Sequence, residues 1–331
     1  MQPHHGSARR IRRLALVFLA LLAGGCSSKS DSVFGPRGDT GGKHLVVFAT
    51  DRGSPAGQYH LALYDLDALA FRPMNNINFT SRPLTNPSIS SNGLLIAFQG
   101  DTSGTGNDDI YIYRRSYSDL LATPRLNTDS SETEPVFTGD ILKLLFVRRW
   151  NGHRHVRVYV PALDSVMVPS GIDTAAAYDD WSPSPDRTGA RFAFVSNRNG
   201  SPDIFVEDSG TLRSIPELQS AGNDIEPSLT PDGRWLCFAS DRAGGAGLYD
   251  LYLYDLNTSA LVALSPTVNT AFNERRPSIG AGGTVISFQS DRSTGLGLWD
   301  VWNYNRSTGA TGQGAGQSST ANDVEPALYW P

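Results

Sequence analysis

The sequence predicts an all-β fold, a closed six-bladed β-propeller, and two observations carry this prediction. The first is a motif that recurs six times, in which a polar or charged residue precedes proline or tryptophan at the start of a short strand. The second is that both ends of the recurring region hold incomplete copies of the motif. A period of about 45–50 residues without a helical pattern is typical of propeller blades, which have four strands each.

The copy at Ile225–Leu256 shows the repeating unit most clearly. Pro231-Asp232-Gly233 predicts a tight turn, Trp235–Ser240 predicts an apolar strand, and Tyr249–Leu256 alternates side chains with a period of two. A three-stranded meander of this kind cannot bury both of its faces alone. We therefore expect each copy to pack between two neighbouring copies.

The starting point of each copy is a residue pair that we call the anchor. The six anchors are Asn86-Pro87, Glu134-Pro135, Asp180-Trp181, Glu226-Pro227, Arg276-Pro277 and Glu325-Pro326. The region begins at a second strand, Leu45–Phe48, that has no anchor strand before it, and it ends with the lone anchor strand Val324–Trp330. These two partial copies together make one blade. We therefore predict a single propeller over residues 43–331, closed by pairing the C-terminal strand with the N-terminal blade.

The motif resembles the repeats of TolB-like six-bladed propellers, which are PD40-type and WD40-like. The residues that carry the resemblance are Glu226-Pro227-Ser228, Pro231-Asp232-Gly233, Phe238, Ser240-Asp241-Arg242 and Asp250-Leu251-Tyr252. The resemblance covers Lys43–Pro331 and implies a propeller of the bacterial cell envelope. Because one fold hosts many functions, the function has to be inferred from the sites.

The N-terminal segment predicts export. Residues 1–25 carry four arginines and no acidic residue before the short apolar run Leu14–Ala23, as in a secretory signal peptide. Leu22–Cys26 resembles a bacterial lipobox, which implies that Cys26 is lipidated; the alternative is ordinary cleavage that leaves a free cysteine. Residues 26–42 have the composition of a flexible tether. By the same resemblance, Ser27 implies an outer-membrane lipoprotein that faces the periplasm.

Charge and cysteine content narrow the class of partner. Without residues 1–25 the chain has 24 basic residues against 33 acidic ones. An acidic protein without a basic stripe is a poor binder of nucleic acid, and we expect it to contact the membrane through the lipid alone. Cys237 lies in an apolar strand and is expected to be a buried thiol without a disulfide partner. We expect a monomer.

The first candidate site is the mouth of the axial channel. In an up-and-down blade the innermost strand starts on the face where the second strand ends, so the anchors are expected to meet there. With the residues two places earlier, they give the predicted channel-mouth set Glu132, Glu134, Asp180, Asp224, Glu226, Glu274, Arg276, Asp323 and Glu325. Converging carboxylates would attract a cation, a basic peptide or an amine, and Ca²⁺ would suit them too. The alternative is that each acid caps its own turn or accepts a backbone N–H from the neighbouring blade.

The second candidate site is a basic, aromatic segment of the third copy. Its predicted partner-contact residues are Arg148, Arg149, Trp150, His153, Arg154 and His155. Tryptophan and arginine together are typical of interaction hot spots. The alternating histidines would suit a metal only if a third ligand converged on them, so no metal site is assigned. The arginines of the Ser-Asp-Arg segments elsewhere are expected to pair with an acid or a carbonyl of the adjacent blade.

Two functions from different classes follow. The favoured one is a lipid-anchored envelope scaffold that binds a protein or peptide through its loops and acidic channel mouth. The alternative is a hydrolase or lyase with a carboxylate or metal site in the axial channel. No catalytic residue or cofactor is assigned, because the residues after position 25 include four histidines, none on an anchor strand, and no G-x-S-x-G motif.

Overall fold

The computed structural model describes residues 44–77, 82–102, 104–172, 175, 177–314, 317 and 319–329. The predicted signal peptide, the tether and Cys26 lie outside these residues. Among the described residues, 24 strands form six four-stranded antiparallel sheets. This confirms the predicted six-bladed propeller.

The strands are joined by turns and loops, and short 3₁₀ helices occur at Pro161–Leu163, Pro216–Leu218 and Ala281–Gly283. No helix among the described residues has the length and apolar character needed to cross a membrane. The strands are β1 (Leu45–Thr50), β2 (His60–Asp65), β3 (Ala70–Arg72), β4 (Leu84–Ile89), β5 (Leu95–Gly100), β6 (Asp109–Arg114), β7 (Asp119–Leu120), β8 (Glu132–Phe137), β9 (Leu144–Trp150), β10 (His153–Val160), β11 (Ser165–Met167), β12 (Asp180–Pro185), β13 (Arg191–Ser196), β14 (Asp203–Asp208), β15 (Thr211–Ser214), β16 (Asp224–Leu229), β17 (Trp235–Ser240), β18 (Asp250–Asp255), β19 (Ala260–Val262), β20 (Glu274–Ile279), β21 (Val285–Ser290), β22 (Asp300–Asn305), β23 (Ala310–Gly312) and β24 (Asp323–Tyr329).

Blade 1 closes the ring by combining both ends of the described chain. Its strand order is β24-β1-β2-β3, and Val46 of β1 pairs with Tyr64 on one side and with Leu328 on the other. Blades 2 to 6 each take four consecutive strands, beginning with β4, β8, β12, β16 and β20. The predicted closure by the C-terminal strand is confirmed.

The core lies between the blades. The recurring phenylalanine of the second strand is fully buried in every blade, at Phe48, Phe98, Phe146, Phe194, Phe238 and Phe288. Cys237 is buried as predicted, and burial raises the pKa of its thiol to about 12. Burial of these apolar side chains between adjacent sheets is the main force that holds the blades together.

Each innermost strand is broken by one residue with left-handed backbone geometry. These residues are Asn86, Glu134, Ser182, Glu226, Arg276 and Glu325, with φ between 47° and 56°. The pairing register shifts next to each of them, for example between Ile225 and Ser228, which is the signature of a β-bulge. The six bulges are therefore a constant feature of the channel wall.

The bulges correct the predicted anchor of blade 4. Its left-handed residue is Ser182, followed by Pro183, so the anchor pair is Ser182-Pro183 and not Asp180-Trp181. Asp180 pairs with Ser196 in the way that Asp224 pairs with Ser240 in blade 5. Asp180 therefore belongs to the set of acids two places before the anchor. The prediction was wrong because Trp181 was taken to replace the proline.

The strand connections define two faces. We call the face that holds the connections between second and third strands, and between blades, the loop face. The other face, the turn face, holds the short turns between first and second strands and between third and fourth strands. The anchors lie near the loop face, because each is the third residue of a six- or seven-residue innermost strand that starts there.

Candidate functional site

The axial channel encloses a cavity of about 240 Å³ that is lined by the six innermost strands. Near the loop face the lining consists of the six anchor residues, which we call the anchor ring. Toward the turn face it includes the apolar residues Ile89, Phe137, Pro185, Leu229, Ile279 and Leu328, together with uncharged polar residues such as Ser91 and Thr138. The charged lining of the channel is thus confined to the end near the loop face.

The three carboxylates of the anchor ring are hydrogen-bonded to the next blade. Ser182 N donates to Glu134 Oε2 at 2.6 Å, Arg276 N donates to Glu226 Oε2 at 2.8 Å, and Asn86 N donates to Glu325 Oε2 at 2.5 Å. The interpretation in which these acids accept backbone N–H groups from the neighbouring blade is confirmed. Such bonds satisfy the amide groups that the bulges remove from the strand ladder.

A glutamine does the same work after two of the three anchors that have no carboxylate, Asn86 and Arg276. Glu134 N donates to Gln99 Oε1 at 2.8 Å, and Glu325 N donates to Gln289 Oε1 at 2.9 Å. Both glutamines lie on the second strand of the preceding blade. Among the described residues, side chains of the preceding blade thus bind the backbone N–H of five of the six anchors, all except Glu226.

Arg276 sits among the carboxylates of the anchor ring. Its guanidinium lies 3.1 Å from Glu226 Oε1 and 3.5 Å from Glu325 Oε1, and it donates to Asn86 Oδ1 at 2.6 Å. Burial alone would lower the pKa of Arg276, but Glu325, Glu226 and Glu134 outweigh it and raise the pKa. The side chain is 37% exposed, and it lines the channel. The ring of three carboxylates is thus partly neutralised by one cation.

The other five predicted channel-mouth acids do not line the channel. Glu132, Asp180, Asp224, Glu274 and Asp323 have no exposed surface. Each is paired with an arginine of its own blade: Arg148–Glu132 at 2.7 Å, Arg198–Asp180 at 2.9 Å, Arg242–Asp224 at 2.7 Å, Arg292–Glu274 at 3.1 Å and Arg52–Asp323 at 2.7 Å. The arginines of the Ser-Asp-Arg segments were expected to pair with an acid or a carbonyl of the adjacent blade. They do pair with an acid, but it belongs to their own blade, so the prediction of an adjacent-blade acid was wrong. These five acids are buried in ion pairs within their own blades instead of facing the channel.

The predicted partner segment of blade 3 is a β-hairpin, formed by β9 and β10. Asn151 and Gly152 make its two-residue turn with φ values of 50° and 84°, as a tight hairpin turn requires. Trp150 is 53% exposed at the loop face, and Arg149 beside it is also exposed. Arg148 lies inside the blade with Glu132.

Of the other three residues of this segment, His153 and Arg154 lie at the surface and His155 lies inside the blade. Asp179 holds two of them at the surface: its Oδ1 lies 3.3 Å from His153 Nδ1, and its Oδ2 accepts from Arg154 Nε at 3.0 Å. The Arg154 guanidinium also lies 4.1 Å from the ring centroid of Trp181. His155 is buried. Among the described residues, no group of three His, Cys, Asp or Glu side chains is placed to hold a metal ion.

The loop face also carries exposed apolar side chains that the sequence analysis did not single out. Leu248, Leu296 and Leu298 are 73%, 64% and 77% exposed, and Phe272 is 39% exposed. They lie in the connections of blades 5 and 6. The signal that could have revealed them is a leucine beside glycine in an otherwise polar loop, as in Gly247-Leu248 and Gly297-Leu298.

These leucines are carried by well-fixed loops. Gly247 N donates to Asp250 Oδ2 at 3.2 Å, and Gly297 N donates to Asp300 Oδ2 at 3.0 Å. A Cβ at Gly247 would lie 1.8 Å from the Phe272 carbonyl oxygen, so only glycine fits there. The apolar side chains are therefore presented to solvent on a defined backbone.

The fold and the anchor ring define a class, the closed six-bladed propellers whose innermost strands are cross-linked by side-chain to backbone bonds. No family model matches the chain. Among curated proteins, it is 32% identical to the Tol-Pal system protein TolB of Bordetella pertussis over an alignment of 114 residues. That alignment covers 21% of this chain and only a quarter of the relative.

Solved structures resemble the chain over a larger part of its length. TolB from Acinetobacter baumannii matches with a TM-score of 0.66 and 18% identity, over 87% of this chain and 66% of that protein. Kuenenia stuttgartiensis hydrazine synthase matches with a TM-score of 0.61 and 14% identity, over 87% of this chain and 47% of that protein. The chain therefore has the fold of the TolB-like propellers, as the motif predicts, and at this level of identity the likeness concerns the fold alone.

Proposed function

We propose that this chain is a non-enzymatic propeller of the cell envelope that binds a protein or peptide at its loop face. The observation that carries the proposal is the set of large apolar side chains on that face, Trp150, Leu248, Leu296 and Leu298, each more than half exposed. The similarity to a Tol-Pal system protein supports an envelope partner. Export, lipidation of Cys26 and attachment to the outer membrane are part of the same proposal and rest on the sequence of residues 1–27.

The chemistry of the loop face supports a protein partner. Leu248, Leu296 and Leu298 lie in the neighbouring blades 5 and 6, and large apolar side chains exposed in this way mark interaction surfaces. Trp150 next to Arg149 gives the aromatic and guanidinium combination that is enriched in hot spots. His153 and Arg154 extend this basic area on an otherwise acidic protein. The surface is therefore suited to a partner segment that is both apolar and acidic.

The anchor ring contributes less to binding than its sequence suggests. Glu134, Glu226 and Glu325 already accept backbone N–H groups, and Arg276 lies between two of them. A basic ligand or a Ca²⁺ ion in the channel would compete with Arg276 for these oxygens. The alternative function, a hydrolase or lyase with a channel site, requires the same oxygens to be free and is the less well supported one.

A cross-linked pull-down from envelope membranes tests the proposal. The test variant combines Leu296→Asp and Leu298→Asp, which place charge on the loop face. The matched control is Leu163→Asp, since Leu163 is 71% exposed on the turn face. We expect the double variant to recover about tenfold less of the partner that the parent protein recovers, as for the loss of a hot spot.

Two outcomes would overturn the proposal. One is the recovery of no reproducible protein partner by the parent protein. The other is equal loss of the partner in the loop-face and turn-face variants. Circular dichroism of both variants identifies a result that comes from misfolding, and Trp150→Ala then serves as the second loop-face variant.

A further inference from the structure

In each blade, side chains of the first three strands lie next to one another on one side of the sheet near the loop face. We call these side chains a row, and the row of blade 3 differs from those of its neighbours in charge. In blade 5 this row holds Asp224, Arg242 and Asp250, followed by Tyr252 on the same side of the third strand. The row thus has two carboxylates for one guanidinium. Blades 4 and 6 follow the same rule with Asp180, Arg198, Asp203 and Phe205, and with Glu274, Arg292, Asp300 and Trp302.

In blade 3 the balance is inverted. Glu132 and Arg148 form the usual ion pair, at 2.7 Å. His155 occupies the place of the second aspartate, because it pairs with Arg148 in the register in which Asp250 pairs with Ser240. Arg157 occupies the place of the aromatic residue, since it pairs with Phe146 as Tyr252 pairs with Phe238. This row has two guanidiniums for one carboxylate.

Among the described residues, no carboxylate is paired with the second guanidinium, that of Arg157. Arg157 is only 6% exposed, and among the described residues its one protein acceptor is Val156 O, at 3.0 Å. Glu132 is already occupied, because it accepts from Arg148, from Thr128 N at 2.9 Å and from Thr128 Oγ1 at 2.6 Å. Burial, followed by the charge of Arg148, lowers the pKa of Arg157.

His155 adds unused hydrogen-bonding capacity beside Arg157. Its side chain is 1% exposed, and neither ring nitrogen has a hydrogen-bond partner among the described residues. A neutral imidazole always carries one N–H donor, so His155 offers a buried donor two residues from the unpaired guanidinium. Side chains two residues apart lie on the same side of a strand.

A buried charge that lacks a partner is costly, and so is a buried donor that lacks an acceptor. One anion would relieve both costs. We propose that Arg157 and His155 of blade 3 bind a small inorganic anion such as chloride. The site is enclosed, because Phe146 opposite Arg157 and Leu126, whose carbonyl accepts from Arg148, are fully buried, so the ion has to be small. The inference is independent of the proposed partner surface.

Thermal unfolding at constant ionic strength tests this site. Sodium chloride is exchanged stepwise for sodium gluconate, whose anion is too large to enter the blade. We expect chloride to raise the unfolding midpoint of the parent protein in a saturable manner, by about 2 °C or more, because a ligand that binds only the folded state stabilises it.

The matched variant is Arg157→Tyr, which restores the residue found in blades 2 and 5 at Tyr111 and Tyr252. Its midpoint is expected to be the same in both salts, whereas Arg149→Ala, which removes an exposed arginine nearby, is expected to respond like the parent. Arg157→Met replaces the first variant if that one does not fold. Line broadening in ³⁵Cl NMR, lost in the same variant, reports binding without unfolding. An equal midpoint of the parent in both salts, or a chloride response that survives in both Arg157 variants, would overturn the proposal.

Discussion

Asp203 illustrates how single carboxylates set the pH response of this protein. It begins β14, is 4% exposed, and its Oδ1 has no hydrogen-bond partner among the described residues. Burial, and then the charge of Asp224, raises the pKa of Asp203. A carboxyl with a raised pKa in the folded state destabilises the fold when ionised, and this cost disappears as the pH falls through the raised pKa. Asp65 has the opposite sign: burial alone would raise its pKa, but hydrogen bonds from Ala68, Arg72 and Asp67 outweigh burial and lower it.

The variants Asp203→Asn and Asp65→Asn should therefore have opposite effects. Asp203→Asn removes an unfavourable charge, so at pH 7 we expect it to unfold at higher urea concentration than the parent, with the difference shrinking toward pH 4.5. Asp65→Asn removes a favourable charge and is expected to unfold at lower urea concentration over the same range. Urea titrations between pH 7 and pH 4.5 measure both. A destabilising Asp203→Asn at pH 7 would contradict the assigned sign.

The neighbouring acids Glu132 and Glu134 show why sequence alone could not separate structural from channel residues. In a regular strand, residues two apart point the same way, and both acids were expected at the channel mouth. The left-handed bulge at Glu134, with φ of 54°, interrupts that alternation. Glu134 then lines the channel while Glu132 turns into the blade. Because Asn, Glu, Ser and Arg all occupy this position in different blades, the bulge cannot be predicted from the type of residue.

At the scale of the strands, serines that follow the anchors join neighbouring blades. Ser228 Oγ accepts from Ile279 N at 3.0 Å, and Ser184 Oγ accepts from Leu229 N at 2.8 Å. Ser88 and Ser278 do the same for Phe137 N and Leu328 N. In blade 3 the serine is replaced by Val136, and the facing residue of blade 4 is Pro185, which has no N–H to satisfy. The blade 3 exception thus leaves no N–H without an acceptor, whereas blade 1 has Ala327 at this position and lacks the serine contact.

Ser228→Ala should therefore cost stability. It leaves the buried Ile279 N–H without an acceptor, and an unsatisfied buried donor costs about 2 kcal/mol in the free energy of unfolding. Thr258→Ala, in an exposed turn of the same blade, is the control and is expected to change little. Urea denaturation measures both. Equal stability of the two variants would show that water replaces the lost acceptor.

In blade 4, matching the sequence motif assigned the wrong residues to the anchor pair. The spacing of the motif placed Trp181 in the proline position. The strand pairing decides for Pro183, because Asp180 is opposite Ser196 and paired with Arg198. Sequence could not show this, because the deciding contacts form only once the blade has folded.

At the scale of the whole molecule, the fold was predictable because closure leaves a trace in the sequence. The region begins with a second strand and ends with a first strand, and β24 pairs with β1 as expected. All six residues of β1 are buried, so this strand is covered on both edges by β2 and β24 and on both faces by other residues of the propeller. The exposed leucines of the loop face left no comparable trace, since their role depends on where the ring places them.

Removal of residues 323–331 should open the ring. We expect the shortened chain to lose its single cooperative unfolding transition and to self-associate, because it exposes the paired edge of β1. Size-exclusion chromatography and urea denaturation measure this. Asp323→Asn, which keeps β24 and weakens the contacts of Asp323 with Arg52 and Ser319, is expected to remain monomeric. A shortened chain that stays monomeric with an unchanged midpoint would show that β24 is dispensable.

Blade 1, which combines β24 with β1, β2 and β3, also has a consequence for the order of folding during biosynthesis. Val46 and Leu328 are cross-strand neighbours although almost the whole propeller lies between them in the chain. Contacts between such distant residues slow folding, since the intervening chain must first be ordered. During translation, or during translocation from the N-terminus, β1 emerges early and waits without its inner partner until the last residues arrive. The cell therefore has to keep the edge of β1 from pairing with other chains until β24 has been made.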